Sequence, residues 1–403
     1  MYRFDMNSRR VAISSITFVF SFANFLIFYS YPFMLGDLNI SGGIAGIVVG
    51  FASCFTMIFR LASGIYMDKI GGRYVMTTVA AVYIASFALL NSHIYQLVIL
   101  GRILIGISLG MLSTILMFHS IASAQSNAHK GQGIALYTFF SMLPTCLAPY
   151  LSLEILHYDG PGAIVVVAIT LSFIGLALAF SIESSSAKVG GHGNNSPFSL
   201  RDVVTTVGSR DICIALGSLA LLYTISGTTV SFLPAMLEST NQRYAAPYFL
   251  TFSIAMLVPR LLLKDHMPIS DVFPVKAFLG AAACALCGGM LNYWLLSHPA
   301  VLVGAFLNGV ALGYIYPAIS AYVICQCADH IKGSMAAITS CCADGGVILA
   351  NLTLGVSALY YPGKFILLFP IVFAAGAMAL FVLAYYFSVT KKSTSSLIAS
   401  SVQ

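Results

Sequence analysis

Thirteen residues of the sequence are acidic, and one of them, Asp344, falls deep inside a long apolar segment. Asp37, Glu154, Glu238 and the rest fall in predicted loops or at predicted helix ends. Three basic residues are as deep: Arg60, Arg102 and Arg260. A carboxylate so placed can carry a proton or pair with an arginine. An arginine can hold a carboxylate or phosphate through its planar fork of donors. His119, toward the end of another apolar segment, can titrate near neutral pH. Asn24, Tyr223, Thr228 and Asn308 add neutral hydrogen-bonding groups suited to a ligand, and each would equally serve to join two helices. No clustered Ser and His, paired Asp, HExxH or GxxxxGK[ST] stretch accompanies them, so the sequence offers neither a catalytic constellation nor a nucleotide-binding loop.

The elements that hold these groups follow from composition. Of 403 residues, 59% are hydrophobic and 8% are charged, with a mean hydropathy of +0.92. A soluble domain carries about 25% charged residues. A membrane span takes about 20 apolar residues, which leaves room for about twelve. They are predicted at 11–32, 44–66, 74–91, 97–121, 131–155 and 162–182, then at 211–236, 247–263, 273–296, 299–325, 333–358 and 364–388. The span at 247–263 is the weakest, being short and carrying Pro247, Pro259 and Arg260. Lipid gives backbone groups no partners, and no barrel-like alternation is present, so the fold class is all-α. Asp344 then lies about 11 residues into its span, near the midplane.

Orientation follows from the positive charges between spans. With the N-terminus inside, Arg3, Arg9, Arg10, Lys69, Arg73, Lys130, Lys188, Arg201, Arg210, Lys264, Lys276, Lys332, Lys391 and Lys392 are cytoplasmic, and only Arg243 and Lys364 are outside. Both termini are therefore expected in the cytoplasm. The net charge of +6 is a product of that asymmetry, and no nucleic-acid partner is called for. Arg9 and Arg10 before an apolar run imitate a signal peptide, but the run is too long and has no small-residue cleavage site, so it reads as an uncleaved first span. The nine cysteines lie in or beside apolar segments. Cys284 and Cys287 form a CxxC without His or carboxylate companions, which favours small buried side chains over a metal site.

The segment 184–210, with its serines, Gly190, Gly191, Gly193, Asn194 and Asn195, reads as a flexible cytoplasmic linker. It divides the chain into a six-helix bundle over 1–183 and another over 211–390, followed by a cytoplasmic tail, 391–403. The halves align at one offset. Pro32-Phe33-Met34-Leu35 matches Pro234-Ala235-Met236-Leu237, Arg60-Leu61 matches Arg260-Leu261, and Lys130-Gly131 matches Lys332-Gly333. Gly101, Gly106 and Gly110 match Gly304, Gly309 and Gly313, and the four offsets are 202, 200, 202 and 203. Duplicated six-span units enclose a midplane cavity that opens to each side in turn. The glycine and proline framework repeats but the charges do not: Gly101-Arg102 corresponds to Gly304-Ala305. This places charge recognition in the N-terminal half and any proton site in the C-terminal half. Pro32, Pro144, Pro149, Pro234 and Pro317 mark expected bends, Pro32 and Pro234 fitting helix ends better.

Between spans 2 and 3 stands Gly64-Ile65-Tyr66-Met67-Asp68-Lys69-Ile70-Gly71-Gly72-Arg73. Here the chain resembles the major facilitator superfamily, whose loop pattern is matched at Gly64, Asp68, Lys69, Gly71 and Arg73, with Gly72 in place of a base. Gly64 permits close helix approach, and Asp68 can accept from a helix start. Arg102 with Gly106 and Gly110, Tyr316-Pro317-Ala318 and Asp344-Gly345-Gly346 look like segments of the family's drug and metabolite exporters. The resemblance covers the whole chain and implies twelve transmembrane helices in two pseudo-symmetric bundles, with the cavity lined by spans 1, 4, 7 and 10. It also implies that spans 2 and 11 pack together, which makes Arg60 a pairing partner for Asp344 and groups Arg60 and Arg260 with the gating motif. The family's antiporter signature in span 5 is not reproduced around Ala148-Pro149-Tyr150, which weighs against proton antiport.

The resulting expectation is a monomeric multi-pass protein of a bacterial inner membrane, without cofactor or metal. It exports a small anionic metabolite or drug, a siderophore-like chelator among them, in exchange for protons. Arg102, Asn24, Tyr223, Thr228 and Asn308 bind substrate; Asp344 and His119 couple protons. Proton-coupled nutrient uptake is the alternative, and a receptor or intramembrane enzyme is the alternative of another class. One charge crossing about 150 mV supplies roughly 3.5 kcal/mol, so a single coupling carboxylate suffices energetically.

Overall fold

The computed structural model describes residues 8–38, 40–70, 72–92, 94–122, 137, 139–181, 200–238, 244–262, 275–327, 331–360 and 363–379. Every regular element among them is a helix, as expected where lipid can satisfy no backbone group. In chain order they are α1 (Ser8–Asp37), α2 (Gly42–Ile70), α3 (Gly72–Leu90), α4 (Tyr95–Ala122), α5 (Pro144–Ser181), α6 (Leu200–Val207) and α7 (Arg210–Ser231). There follow α8 (Leu233–Glu238), α9 (Ala245–Leu262), α10 (Val275–Trp294), α11 (Val301–Cys325) and α12 (Lys332–Tyr360). Last is α13 (Phe365–Ala379), whose start is tightened into a 3-10 turn at Lys364–Leu367.

Helix α5 is two spans in one run. Gly160 adopts φ 78°, ψ 178°, a left-handed backbone that glycine enters without a Cβ penalty. Pro161 follows at once, with φ already set for a helix start. The two arms of α5, with α1, α2, α4, α7, α11 and α12 and the shorter α3, α9, α10 and α13, make twelve crossings. The segment expected to be weakest, around Pro259, is helical throughout α9.

The helices overrun the predicted spans. At 30 residues and 1.5 Å per residue, α1 is about 45 Å long, beyond the ~30 Å hydrocarbon core. It continues helically past Pro32 to Asp37, so this proline does not end it. Pro234 does follow a break, at Phe232 between α7 and α8, and Pro317 lies inside α11. Part of the expected linker is ordered as α6, which buries Val203; residues 182–199 and the tail from 380 lie outside the described residues. Cys213 and Cys287 face outward rather than into the core, and all nine cysteines are free.

Duplication is visible in the packing. In the first half α1 packs on α5, and α2 and α3 on α4; in the second α7 packs on α12, and α9 and α10 on α11. Between halves α2 meets α12, and α5 meets α9. Each contact has its counterpart under exchange of the halves. The repeated glycines explain why. A Cβ at Gly106 or Gly110 would strike the carbonyl oxygens of Ala52 and Thr56 on α2. A Cβ at Gly309 or Gly313 would strike those of Phe252 and Met256 on α9. The struck residues are themselves 200 positions apart. Thr56 Oγ1 then donates to the Gly106 carbonyl at 3.0 Å, tying α2 to α4. Among the described residues two large apolar cores result, one per half, with a small third cluster of Phe232, Ala350, Leu354 and Ile366; Tyr29 and Leu153 of the first half insert into the core of the second.

Widening either contact should destabilise the bundle. Gly106→Val and Gly309→Val are expected to cost about 1–3 kcal/mol each through overpacking, read as lower melting temperatures in detergent. Gly280→Ala, where nothing lies within 4 Å of the added Cβ, should leave the melting temperature unchanged or raise it.

Candidate functional site

A cavity of about 340 Å³ lies between the halves. Its wall comes mainly from α1, α2 and α4, with Tyr137, Ser141, Met142 and Thr145 ahead of and at the start of α5, and patches of α7, α9 and α12. Of the expected lining spans, the tenth (α11) contributes no described lining residue. The second does: the small residues that bring α4 onto α2 leave Arg60, one turn beyond Thr56, on the wall. This corrects the expectation of a cavity lined by spans 1, 4, 7 and 10, among which only span 4 carries a deep base, Arg102. The side chain of Arg260 is not described, although its backbone is helical in α9.

Arg102 is 4% exposed. Its guanidinium lies 4.9 Å from the centre of the Phe28 ring and 5.2 Å from that of Tyr31. These rings are three residues apart on α1 and so share a face. Tyr83, anchored by its hydroxyl to the Phe20 carbonyl at 3.2 Å, adds a third aromatic neighbour. Stacking on rings stabilises a cation by about 0.5–2 kcal/mol, short of the 2.5–3.5 kcal/mol that insertion scales assign to a mid-membrane arginine. No carboxylate among the described residues pairs with Arg102, and its Nε has no hydrogen-bond partner. The Asn24 Oδ1 on the cavity wall and the Tyr31 hydroxyl beside the guanidinium are also buried without partners.

The second polar centre joins the halves. Arg60 Nη1 of α2 donates to Asp344 Oδ2 of α12, the pairing that the second and eleventh spans make possible. The two side chains remain 21% and 31% exposed, open to the cavity. Tyr137 and Tyr316 stand around the pair. Tyr316 shares a 2.7 Å hydrogen bond with Ser340, and the Tyr223 ring lies 6.0 Å from that of Tyr316. Asp344 is the one carboxylate among the described lining residues.

Of the residues expected to bind substrate, Arg102, Asn24 and Tyr223 meet on this wall. Thr228 and Asn308 do not; they border a separate void of about 10 Å³ between α7, α10 and α11. Thr228 Oγ1 donates back to the Thr224 carbonyl at 2.9 Å. Asn308 belongs to a buried group in which Asn292 Nδ2 donates to the Tyr248 hydroxyl at 2.8 Å. Thr228 is therefore spent within its own helix, and Asn308 on the contact between α9, α10 and α11. His119 lies at the end of α4, away from the cavity and facing Arg9. In the loop motif the side chains of Asp68, Lys69 and Arg73 lie outside the described residues, as does Gly71; α2 continues through Gly64 to Ile70. Sequence reasoning missed Phe28, Tyr31 and Tyr137. The i, i+3 aromatic spacing of the first two was a signal, but an ordinary core stripe has the same one.

Breaking the ion pair from one side leaves a charge unpaired on the cavity wall. Asp344→Asn and Arg60→Gln should each lower stability by about 1–3 kcal/mol, and the double variant by less than the sum. Thermal melting of the four proteins in detergent checks this.

Comparison with known proteins agrees with this architecture. The family model of the Major Facilitator Superfamily matches residues 13–265. The staphylopine export protein of Staphylococcus aureus is 20% identical over 349 residues, which are 84% of this chain and 87% of that protein. The crystal structure of the nucleoside transporter NupG superposes with a TM-score of 0.74 at 13% identity, covering 96% of this chain and all of that one. The human organic anion transporter MFSD10 superposes at 0.66 with 16% identity, covering 94% of this chain and 100% of its own.

Proposed function

The chain belongs to the Major Facilitator Superfamily, and on that footing we propose that it exports a small organic anion across a bacterial inner membrane by alternating access, driven by protons. The observation that carries the anion is Arg102, a buried cation in the cavity wall with no carboxylate among the described residues paired to it. A ligand carboxylate or phosphate completes it, in a water-poor setting where a charge-assisted pair is at its strongest. Asn24 supplies a hydrogen bond on the same wall, Tyr223 another toward the Arg60–Asp344 end, and the aromatic wall takes the ligand's apolar body. Resemblance to a staphylopine export protein supports the outward direction, and the basic wall itself admits carboxylate-bearing chelators.

Asp344 is the candidate proton carrier. Protonation removes its charge and with it the hold on Arg60, so a proton would loosen α2 from α12 and bias the two halves toward rocking. In this reading residues 1–183 and 211–390 are the moving units, 184–210 joins them, 391–403 is a tail, and both termini are cytoplasmic. The protein works as a monomer. The sequence around Pro149, which departs from the antiporter pattern, favours a second reading, proton-coupled uptake.

Arg102→Ala should weaken binding of anionic ligands by about thirtyfold or more, while sparing neutral ones; equal loss of both sinks the anion reading. In proteoliposomes an imposed proton gradient should drive the anion against the proton flow for export and with it for uptake. Asp344→Asn should still bind the anion but lose gradient-driven movement. Full transport with an unchanged pH profile in that variant would remove the proton role.

A further inference from the structure

The two polar centres of the cavity are well separated along its axis. Thr114 Oγ1 of α4 donates to the Arg60 carbonyl at 3.3 Å, and a Cβ at Gly110 would lie 3.1 Å from the Arg60 nitrogen. Arg60 is therefore level with residues 110–114, which are 8 to 12 residues beyond Arg102. At 1.5 Å per residue that is about 12–18 Å. Both centres line the same 340 Å³ space, which is within the range of pockets that hold one drug-sized molecule.

The charges at the two centres set what such a molecule can be. The described lining residues carry two arginines and one carboxylate, a formal charge of +1. A ligand anion at Arg102 neutralises the wall. At the other end a lone carboxylate drawn to Arg60 would strand Asp344, and a lone amine drawn to Asp344 would strand Arg60; either leaves a half-buried charge unpaired. A group that carries both charges side by side strands neither. Its ammonium meets Asp344 and its carboxylate meets Arg60, so that one pair becomes two. Partial exposure of both side chains to the cavity, 21% and 31%, gives the group access.

Resting on the anion reading of Arg102, we propose that the ligand is an amino-acid conjugate of net charge −1: an α-amino-acid head inserted between Arg60 and Asp344, and a second carboxylate about 12 Å or more away on Arg102. The head would part α2 from α12 as it binds, which makes the ligand itself a wedge between the halves.

Nε-succinyl-lysine has such a head and tail at about the right separation. Its binding to the full-length protein in detergent, read by thermal shift and by calorimetry up to about 10 mM, is compared with two analogues. Nα-acetyl-Nε-succinyl-lysine lacks the ammonium, and Nε-acetyl-lysine lacks the distal carboxylate. The expected result is that succinyl-lysine binds at least about tenfold more tightly than either. Asp344→Asn, and the double variant Arg60→Gln/Asp344→Asn, which leaves no charge stranded, should erase the advantage over the ammonium-free analogue only. Arg102→Gln should erase the advantage over Nε-acetyl-lysine only. If the ammonium-free analogue binds as well as succinyl-lysine and both depend on Arg102, the amino-acid head is overturned while the anion reading stands. If binding ignores Arg102 altogether, both fall. No stabilisation by succinyl-lysine at any concentration tested also overturns the proposal.

Discussion

Carbonyl oxygens that accept a glycine instead of a side chain hold this molecule together. In lipid there is no hydrophobic gain from pressing helices against each other, so association depends on close van der Waals fit and on the polar groups that fit brings within reach. Gly106 and Gly110 let α4 lie on the backbone of α2, and Gly309 and Gly313 let α11 lie on that of α9. Everything at the site is downstream of the first of these contacts. It sets the depth of Arg60 against α4, allows the Thr56 and Thr114 hydroxyls to bond across the interface, and leaves Arg60 and Arg102 on one wall at different heights.

The symmetry of the scaffold and the asymmetry of its chemistry are then two sides of the same economy. The second half uses the same glycine contacts, but where the first has Arg102 it has Ala305. Its polar side chains, Tyr248, Asn292 and Asn308, bond among themselves and face away from the shared cavity. The cavity is consequently lopsided, with its wall mostly from the first half, and the second half supplies the one described carboxylate, Asp344.

Much of this was legible in the sequence because lipid reduces the choices. Length of apolar run fixes the spans, and a repeated spacing of Gly101, Gly106 and Gly110 fixes which helices approach closely in both halves. The Arg60–Asp344 pairing was foreseeable once spans 2 and 11 were taken as neighbours. The facing of neutral polar residues was not. Asn24 and Asn308 are alike as lone amides in apolar helices, and only packing shows that one looks into the cavity and the other into a neighbouring helix. Nor does a residue count reveal that α2 lines the cavity: that depends on the rotation of α2 about its axis, which the contacts with α4 set. The bend at Gly160 was readable as a loop between two spans, but not as a one-residue hinge in a continuous run.

One contact between the halves is of the same glycine type as those within them. Gly43 of α2 and Gly355 of α12 each lie against the other's carbonyl oxygen. The Arg60–Asp344 pair sits 17 residues farther along α2, a lever arm of about 25 Å. Backbone pressed on backbone resists sliding but permits tilt, so this contact is a fulcrum. A tilt of only about 10° around it would displace the far end of the lever by about 4 Å, more than the reach of an ion pair. The ion pair between α2 and α12 thus stands at the end of the lever, where a small change of angle between the two helices is felt most.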